Sequence, residues 1–251
     1  MQNSPGHGSM PLRRFGPPTP GTGDARRAAL VCFPYAGGGA TTFAPWRRQL
    51  PDWLDLYAHV APGREERGRE ATLGSVDELV ADVLPDILAL PKPLVLLGHS
   101  FGAFLAHELT HRLTQEGRPP AHLVLLASGA PGLTALQPVG NDDEIEQLWR
   151  RLGANPAGLA LPEFRERFFP ALRADLGAHA AFRPPLRRPP LTVPVTVLYG
   201  DEDPVVTGDE AAKWRTLYAG PFDLAAMPGG HFFPQTLTAT TIDTILHAIN
   251  R

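Results

Sequence analysis

Short apolar runs alternate with amphipathic stretches along most of this chain of 251 residues. Runs of four to six mostly apolar residues are typical of strands that are buried on both faces of a parallel sheet. Between these runs, apolar residues recur at helical spacing and predict helices with one buried face. The predicted strands cover residues 28–33, 56–60, 94–97, 122–127, 195–199 and 222–227. Strands that alternate with helices predict an α/β fold with a mostly parallel central sheet flanked by helices.

The predicted helices separate these strands. A capping box, Ser75-Val-Asp-Glu78, begins one of them. The helices are expected at about residues 42–50, 75–88, 103–115 and 238–249.

The alternation stops between about residues 130 and 190. Residues 142–152 have an amphipathic helical pattern, and three large apolar residues then repeat at helical spacing: Phe164, Phe168 and Leu172. Such a segment is too long for a simple crossover between two strands. Core packing explains part of the pattern, and the extra length predicts a helical lid insertion over a binding pocket.

The first 26 residues lack either periodicity. Five prolines and five glycines fall within the first 23 residues, with little apolar surface to bury. We therefore expect residues 1–26 to be a disordered leader and residues 27–251 to form one domain.

Composition excludes several classes of function. A formal charge of −3 gives no reason to expect a nucleic-acid partner. No stretch approaches the roughly 18 apolar residues of a membrane span. The single cysteine, Cys32, lies in an apolar run and cannot form an internal disulfide, which favours a cytoplasmic location. The sequence also lacks the spacing of a metal-ligand cluster, so we expect no metal and no cofactor.

The clearest chemical motif is Gly98-His99-Ser100-Phe101-Gly102, which matches G-x-S-x-G. It follows a predicted strand and precedes a predicted helix, as a nucleophile elbow does. The helix N-terminus then directs free N–H groups at the reacting centre. This context favours Ser100 as a nucleophile over a structural turn serine. We expect His99 to point away from Ser100 and to pack the turn.

A serine nucleophile needs a base, and the base needs an acceptor that fixes its tautomer. In the α/β-hydrolase order the acid and then the histidine follow the serine, each on a loop after a strand. His231 fits the base. The acid is one of three adjacent residues, Asp201, Glu202 and Asp203. Asp201 could cap its loop, and Asp203 precedes a proline, so residue chemistry alone leaves the choice open.

A glycine-rich segment, Tyr35-Ala36-Gly37-Gly38-Gly39, follows the first strand. Three glycines in a row can be a flexible connection and nothing more. Beside a serine nucleophile, small residues let backbone N–H groups approach a substrate oxygen. We therefore expect the N–H groups of Ala36 and Phe101 to form an oxyanion hole.

Taken together and in order, six motifs resemble those of the type II thioesterases, the stand-alone editing enzymes of polyketide and non-ribosomal peptide synthesis. The resemblance extends from about residue 28 to the C-terminus. The motifs lie at residues 33–39, 62–67, 98–103, 170–175, 200–204 and 229–233.

The resemblance implies an α/β-hydrolase fold and a role for the aspartate that precedes proline, Asp203, as the acid of the triad. It places the oxyanion donors at Ala36 and Phe101. It further implies an enzyme that removes stalled or aberrant acyl groups from the phosphopantetheine arm of acyl or peptidyl carrier proteins, without another cofactor. We expect this enzyme to be cytoplasmic and monomeric. Two positions depart from the family pattern, since Phe101 is commonly Met or Leu and Tyr35 is commonly His. Tyr35 and Phe101 are thus the candidate substrate-binding residues.

Two other functions use the same residues. A general carboxylesterase would apply the triad to small oxygen esters, and residue chemistry does not separate it from a thioesterase. A non-catalytic scaffold that binds a synthase is disfavoured, because no triad position is missing. Arginines near the lid could steer an acidic carrier protein, or could be ordinary surface charge. These arginines are Arg150, Arg151, Arg187 and Arg188.

Overall fold

The computed structural model describes residues 10–16, 28–90, 93–133, 141–154, 161–185 and 188–250. Within these ranges seven strands form one sheet, in the order β1-β3-β2-β4-β5-β6-β7. The strands are β1 (Leu12–Phe15), β2 (Ala28–Phe33), β3 (Leu54–His59), β4 (Leu94–His99), β5 (His122–Leu126), β6 (Val195–Gly200) and β7 (Phe222–Met227). All pairings are parallel except that of β1 with β3. The mostly parallel sheet and its six predicted strands are thus confirmed.

Strand β1 corrects the prediction that residues 1–26 are disordered. Leu12 is buried and pairs with His59 of β3 in an antiparallel register. Arg14 donates to the Asp55 carboxylate at 3.0 Å, which anchors the strand further. A strand of four residues is too short to show a clear apolar pattern in the sequence. It is stabilised by pairing with the edge of β3. The rest of the predicted leader, residues 1–9 and 17–26, lies outside the described residues.

The described helices are α1 (Val76–Ala89), α2 (Phe101–Gln115), α3 (Asp142–Arg151), α4 (Pro162–Ala181), α5 (Gly208–Ala212), α6 (Phe233–Thr236) and α7 (Thr238–Ile249). Ser75 is confirmed as the N-cap of α1, and Glu78 reaches back to the residue before it. Ser75 Oγ accepts from the Glu78 amide at 3.2 Å. The Glu78 carboxylate in turn accepts from the Gly74 amide at 3.1 Å.

The helix predicted at residues 42–50 is instead a 3₁₀ helix, Ala40–Arg48. Pro45 lies inside it and has no N–H to donate, which disfavours a continuous α-helix. Phe43 and Trp46 are nevertheless buried, with their rings 5.3 Å apart. The apolar spacing therefore predicted the buried face correctly, although the type of helix was wrong.

The sheet is covered on both faces, as its apolar strands require. Along β2, Leu30 and Cys32 pack into the core beside the 3₁₀ helix and α7. Val31 and Phe33 point to the opposite core, which includes α1 and α2. Burial raises the pKa of the Cys32 thiol. In the described part of the chain, no helix is both long enough and apolar enough to span a bilayer.

The carboxyl ends of five neighbouring strands lie at one edge of the sheet. Phe33 pairs with Gly98, His99 pairs with Leu126, and Gly200 pairs with Met227. The loops that follow β2, β4, β5, β6 and β7 therefore emerge side by side. This is the edge at which ligands bind in open α/β sheets.

A buried histidine at the end of β3 predicts a pH-dependent stability. His59 packs against the Phe33 ring at 5.5 Å. Burial, together with the charges of Arg64 and Arg67, lowers its pKa from 6.5 to about 3. Below pH 6.5 the unfolded chain binds a proton that the folded chain refuses, so stability falls as the pH falls toward 3. At pH 5 the loss from this group is about 2 kcal/mol relative to pH 8.

Replacing this histidine tests the effect. His59→Phe should reduce the decline in unfolding free energy between pH 8 and pH 5 by about 2 kcal/mol, as measured by urea denaturation, and leave the part due to the other buried histidines. The wild-type protein and His59→Phe are both uncharged at this position at pH 8. A difference in their unfolding free energies at that pH therefore does not come from the charge of residue 59. An unchanged pH dependence in His59→Phe would contradict the assignment.

Candidate active site

Ser100 occupies a strained turn between β4 and α2. Its φ is 54° and its ψ is −117°, a conformation that L-residues rarely adopt. The two flanking glycines make this turn possible, since a Cβ on Gly98 would lie 2.3 Å from the Gly102 carbonyl oxygen. One on Gly102 would lie 2.1 Å from the Phe33 carbonyl oxygen. The Ser100 amide donates to the Leu126 carbonyl at 2.8 Å, which fixes the turn on the sheet.

His231 lies beside the serine on the loop that follows β7. Its Nε2 is 2.9 Å from Ser100 Oγ, and its Nδ1 is 2.7 Å from Asp203 Oδ2. An ionised carboxylate can only accept, so Nδ1 carries the proton and donates to Asp203. Nε2 is then free to accept the Ser100 hydroxyl proton. The three side chains form one hydrogen-bonded line across loops that are distant in sequence.

Geometry separates the three adjacent acids. Asp203 Oδ2 faces His231, while its Oδ1 accepts from the amides of Val205 at 2.9 Å and Val206 at 3.1 Å. Burial raises the pKa of Asp203, but the bond to His231 and these amides lower it by more, so it is lowered overall. Asp201 accepts from the Gly229 amide at 2.8 Å and caps its loop. Glu202 is exposed.

His99 holds the loop of His231 from below. It is fully buried, and its Nε2 donates to the His231 carbonyl at 2.9 Å. Gln235 donates to the other ring nitrogen at 3.3 Å, which is consistent with this tautomer. Burial lowers the pKa of His99 to about 3, so the ring is neutral. The sequence indicated only a packing role for His99, because its bond partner lies 132 positions away.

Ser100 opens into a cavity with mostly apolar walls. Tyr35, Ala36 and Phe101 line it, as do Val205 and Val206 from the loop after β6. Helices α3 and α4, with the residue that follows α3, supply another wall, formed by Ile145, Leu148, Trp149, Leu152, Leu172 and Leu176. Of the residues predicted for the site, all but Asp203 line this cavity, beneath the two helices of the segment between β5 and β6. Asp203 reaches it only through its bond to His231.

A model of the thioesterase domain family matches residues 28–250. The chain belongs to the thioesterase family. The match covers the sheet from β2 onward, the elbow, the segment that carries α3 and α4, and the loops of Asp203 and His231. The α/β-hydrolase fold that the resemblance implied for this chain is thus confirmed.

Three similar proteins are informative. The probable cadicidin biosynthesis thioesterase of Streptomyces griseus is 36% identical over 244 residues, covering 94% of this chain and 66% of that protein. The chain thus spans just under two thirds of the length of that relative. The type II thioesterase BorB, from the borrelidin biosynthetic cluster, has a structure with a TM-score of 0.84 at 32% identity, covering 95% of this chain and 97% of BorB. YbtT, a type II thioesterase from the yersiniabactin NRPS/PKS pathway, has a TM-score of 0.84 at 27% identity, covering 96% and 98%.

Tyr35, one of the two departures from the family pattern, joins an aromatic wall beside Ser100 and His231. Its ring meets Phe232 edge-on at 5.0 Å and His99 at 5.3 Å. Trp149 of α3 lies 6.0 Å away. The wall therefore joins the glycine-rich loop, the His231 loop and the first helix of the inserted segment.

The cavity also contains a histidine that the sequence did not single out. His179 of α4 stacks on Phe104 with ring centroids 4.3 Å apart. Burial, with smaller contributions from the charges of His231 and Arg183, lowers its pKa to about 4. No motif marks this position, because its neighbourhood exists only once α4 packs over α2.

The candidate docking arginines differ in their surroundings. Arg188 pairs with the fully buried carboxylate of Glu108, so its charge compensates a charge inside the protein. Arg150 pairs with Glu146 on the same helix at 2.7 Å. Arg151 is exposed, and Arg187 lies outside the described residues. Among the residues with described positions, no group of three or more His, Cys, Asp or Glu is arranged to hold a metal ion.

Proposed function

We propose that this chain is a serine thioesterase that hydrolyses stalled or aberrant acyl groups from the phosphopantetheine arm of acyl or peptidyl carrier proteins in polyketide or non-ribosomal peptide synthesis. The observation that carries the proposal is the hydrogen-bonded line from Ser100 through His231 to Asp203 at the floor of an apolar cavity. Family membership and the likeness to BorB and YbtT support the substrate class.

In the first half of the reaction, His231 Nε2 takes the proton of Ser100 Oγ as the oxygen attacks the thioester carbonyl. Asp203 holds the ring in the required tautomer and stabilises the imidazolium that forms. The amides of Ala36 and Phe101 donate to the oxyanion of the tetrahedral intermediate. Phe101 is the first residue of α2, so the partial positive charge of the helix N-terminus adds to its donation.

Collapse of this intermediate breaks the carbon–sulfur bond. His231 gives its proton to the departing thiolate of the arm, and the acyl group remains on Ser100. A water molecule then gives a proton to His231 and attacks the acyl-enzyme. The carboxylic acid leaves, and Ser100 recovers its proton. The proposed reaction needs no cofactor besides the arm that carries the substrate.

The cavity walls support an acyl substrate. Leu148, Leu152 and Leu176 offer apolar surface to a hydrocarbon chain, while Tyr35 and Phe101 lie beside the nucleophile. For this reason we assign Tyr35 and Phe101 to substrate binding. We assign α3 and α4 to a lid over the bound acyl group. We further propose that the enzyme is a monomer and acts in the cytoplasm, where its carrier partners are made and loaded.

A substrate comparison tests the proposal. The same acyl groups, from acetyl to longer chains, are presented as carrier-protein thioesters and as small oxygen esters. We expect kcat/KM to be at least about tenfold higher on the carrier thioesters, because binding of the arm and carrier contributes to transition-state stabilisation. Equal or higher kcat/KM on the free oxygen esters would instead identify a general carboxylesterase.

A further inference from the structure

A buried carboxylate in α4 contacts the glycine-rich loop of the site. Asp175 is 1% exposed and takes no part in the line from Ser100 to Asp203. Its Oδ2 accepts from the Gly37 amide at 2.7 Å. Arg64 donates to both oxygens, from Nη1 at 2.8 Å and from Nη2 at 2.9 Å. A buried charge is tolerated when it is paired and hydrogen-bonded in this way.

Arg64 contacts the same loop with a second bond. Its Nη1 also donates to the Gly38 carbonyl at 2.9 Å. The pair therefore binds the N–H of Gly37 and the C=O of Gly38, two consecutive residues directly after Ala36. We call residues 36–38 the oxyanion loop. Its backbone is held from outside by two side chains that reach it from the loop after β3 and from α4.

Steric contact joins α4 to the oxyanion loop as well. Gly37 has a φ of +75°, and a Cβ there would lie 2.8 Å from Cε2 of Phe168 and 3.1 Å from Cβ of Leu172. The loop backbone thus lies directly against α4, with no room for a side chain. Leu172 also lines the cavity, so one helix contacts both the cavity and the loop.

We infer that Arg64 and Asp175 are positioning residues that fix the oxyanion loop, so that the Ala36 N–H points at the developing oxyanion. Because Asp175 belongs to α4, the orientation of this N–H then depends on the position of α4. The inference rests on the proposed function. An oxyanion donor acts only within about 2.7–3.1 Å of the position that the oxyanion will occupy. A loop with several glycines does not hold such a distance by itself, because glycine has the widest conformational freedom. The bonds to Asp175 and Arg64 supply the missing restraint.

The variant Asp175→Asn tests the inference. Asn keeps an oxygen for the Gly37 amide but loses the charge that pairs with Arg64. We expect kcat on an acyl-carrier thioester to fall about 10- to 100-fold, with KM within about twofold, since the loss is confined to the transition state. An acyl trifluoromethyl ketone, which forms an oxyanion on Ser100, should bind more weakly by the same factor. A ground-state analogue, an S-alkyl-pantetheine thioether that carries no carbonyl, should bind unchanged.

Two further variants separate positioning from general stability. Arg64→Lys keeps a charge beside Asp175 but not the two-pronged bond, and should lower kcat and the affinity for the ketone together by a smaller factor. Arg173 lies in α4, as Asp175 does, and forms an exposed ion pair with Asp142 of α3. Arg173→Gln removes this pair and should leave kcat, KM and the affinity for the ketone within about twofold. Should Asp175→Asn not fold, the result for Arg64→Lys decides.

The outcomes are distinguishable. If the wild-type protein neither hydrolyses the carrier thioester nor binds the ketone, the proposed function fails. If the wild-type protein does both and the Asp175 and Arg64 variants match it, the positioning role is overturned. A rise in KM with unchanged kcat, or equal weakening of the ketone and the thioether, would also overturn it.

Discussion

Ser100→Ala is expected to lower kcat for hydrolysis of an acyl-carrier thioester by about four to six orders of magnitude. The variant lacks the oxygen that forms the acyl-enzyme, and His231 has no proton to take from the side chain. A residual rate above that in water would come from the oxyanion donors and the cavity. Single-turnover kinetics with a carrier-bound substrate measure the fall.

Two controls accompany this variant. Intact-protein mass spectrometry should detect an acyl adduct on the wild-type protein and none on Ser100→Ala. The variant should keep its thermal unfolding temperature within a few degrees, because alanine leaves the turn's backbone bonds in place. Near-normal turnover by Ser100→Ala would refute the assignment of the nucleophile.

Asp203→Asn is expected to lower kcat by about 10⁴-fold, although the substitution changes one atom. An asparagine can still accept from the Val205 and Val206 amides through its oxygen, so the loop keeps its shape. Its NH₂ group would then face His231 Nδ1 and donate to it. This bond selects the tautomer with the proton on Nε2, which cannot accept the Ser100 proton.

Asp201→Asn is the matched control. Its side-chain oxygen can still accept from the Gly229 amide, and no bond to His231 is involved. We expect kcat within about threefold of the wild-type value, since a neutral acceptor replaces a charged one only in a loop cap. A large fall in Asp201→Asn together with a small fall in Asp203→Asn would show that the acid was assigned wrongly.

The elements that the sequence predicted well are those whose signal is local. Six strands were predicted from apolar runs. Strands β2, β4 and β5 are buried along their whole length, whereas β7, at the edge of the sheet, is fully buried only at Met227. The elbow at Ser100 was equally readable, because its strained turn demands glycines at fixed positions on either side. Strand β1 was missed because the hydrogen bonds that stabilise it are made with β3, which is distant in sequence.

Within the site, too, the residues with a local signal were predicted from the sequence, and those that depend on distant contacts were not. The sequence predicted Ser100 and His231 from motif and order, and the resemblance selected Asp203 from three neighbours. The bonds that distinguish Asp203 from Asp201 run to His231 in one case and to Gly229 in the other. No pattern within residues 201–203 contains that information.

By itself, then, the sequence determined the alternating sheet and helices, the buried faces and the nucleophile turn, because apolar periodicity and glycine sterics act over a few residues. Only the tertiary structure decided which acid faces His231, that His99 holds the His231 loop, and that Arg64 and Asp175 hold the oxyanion loop. Each of these depends on hydrogen bonds between residues far apart in sequence. Such bonds need distances within a few tenths of an ångström, and only the packed sheet and helices establish those distances.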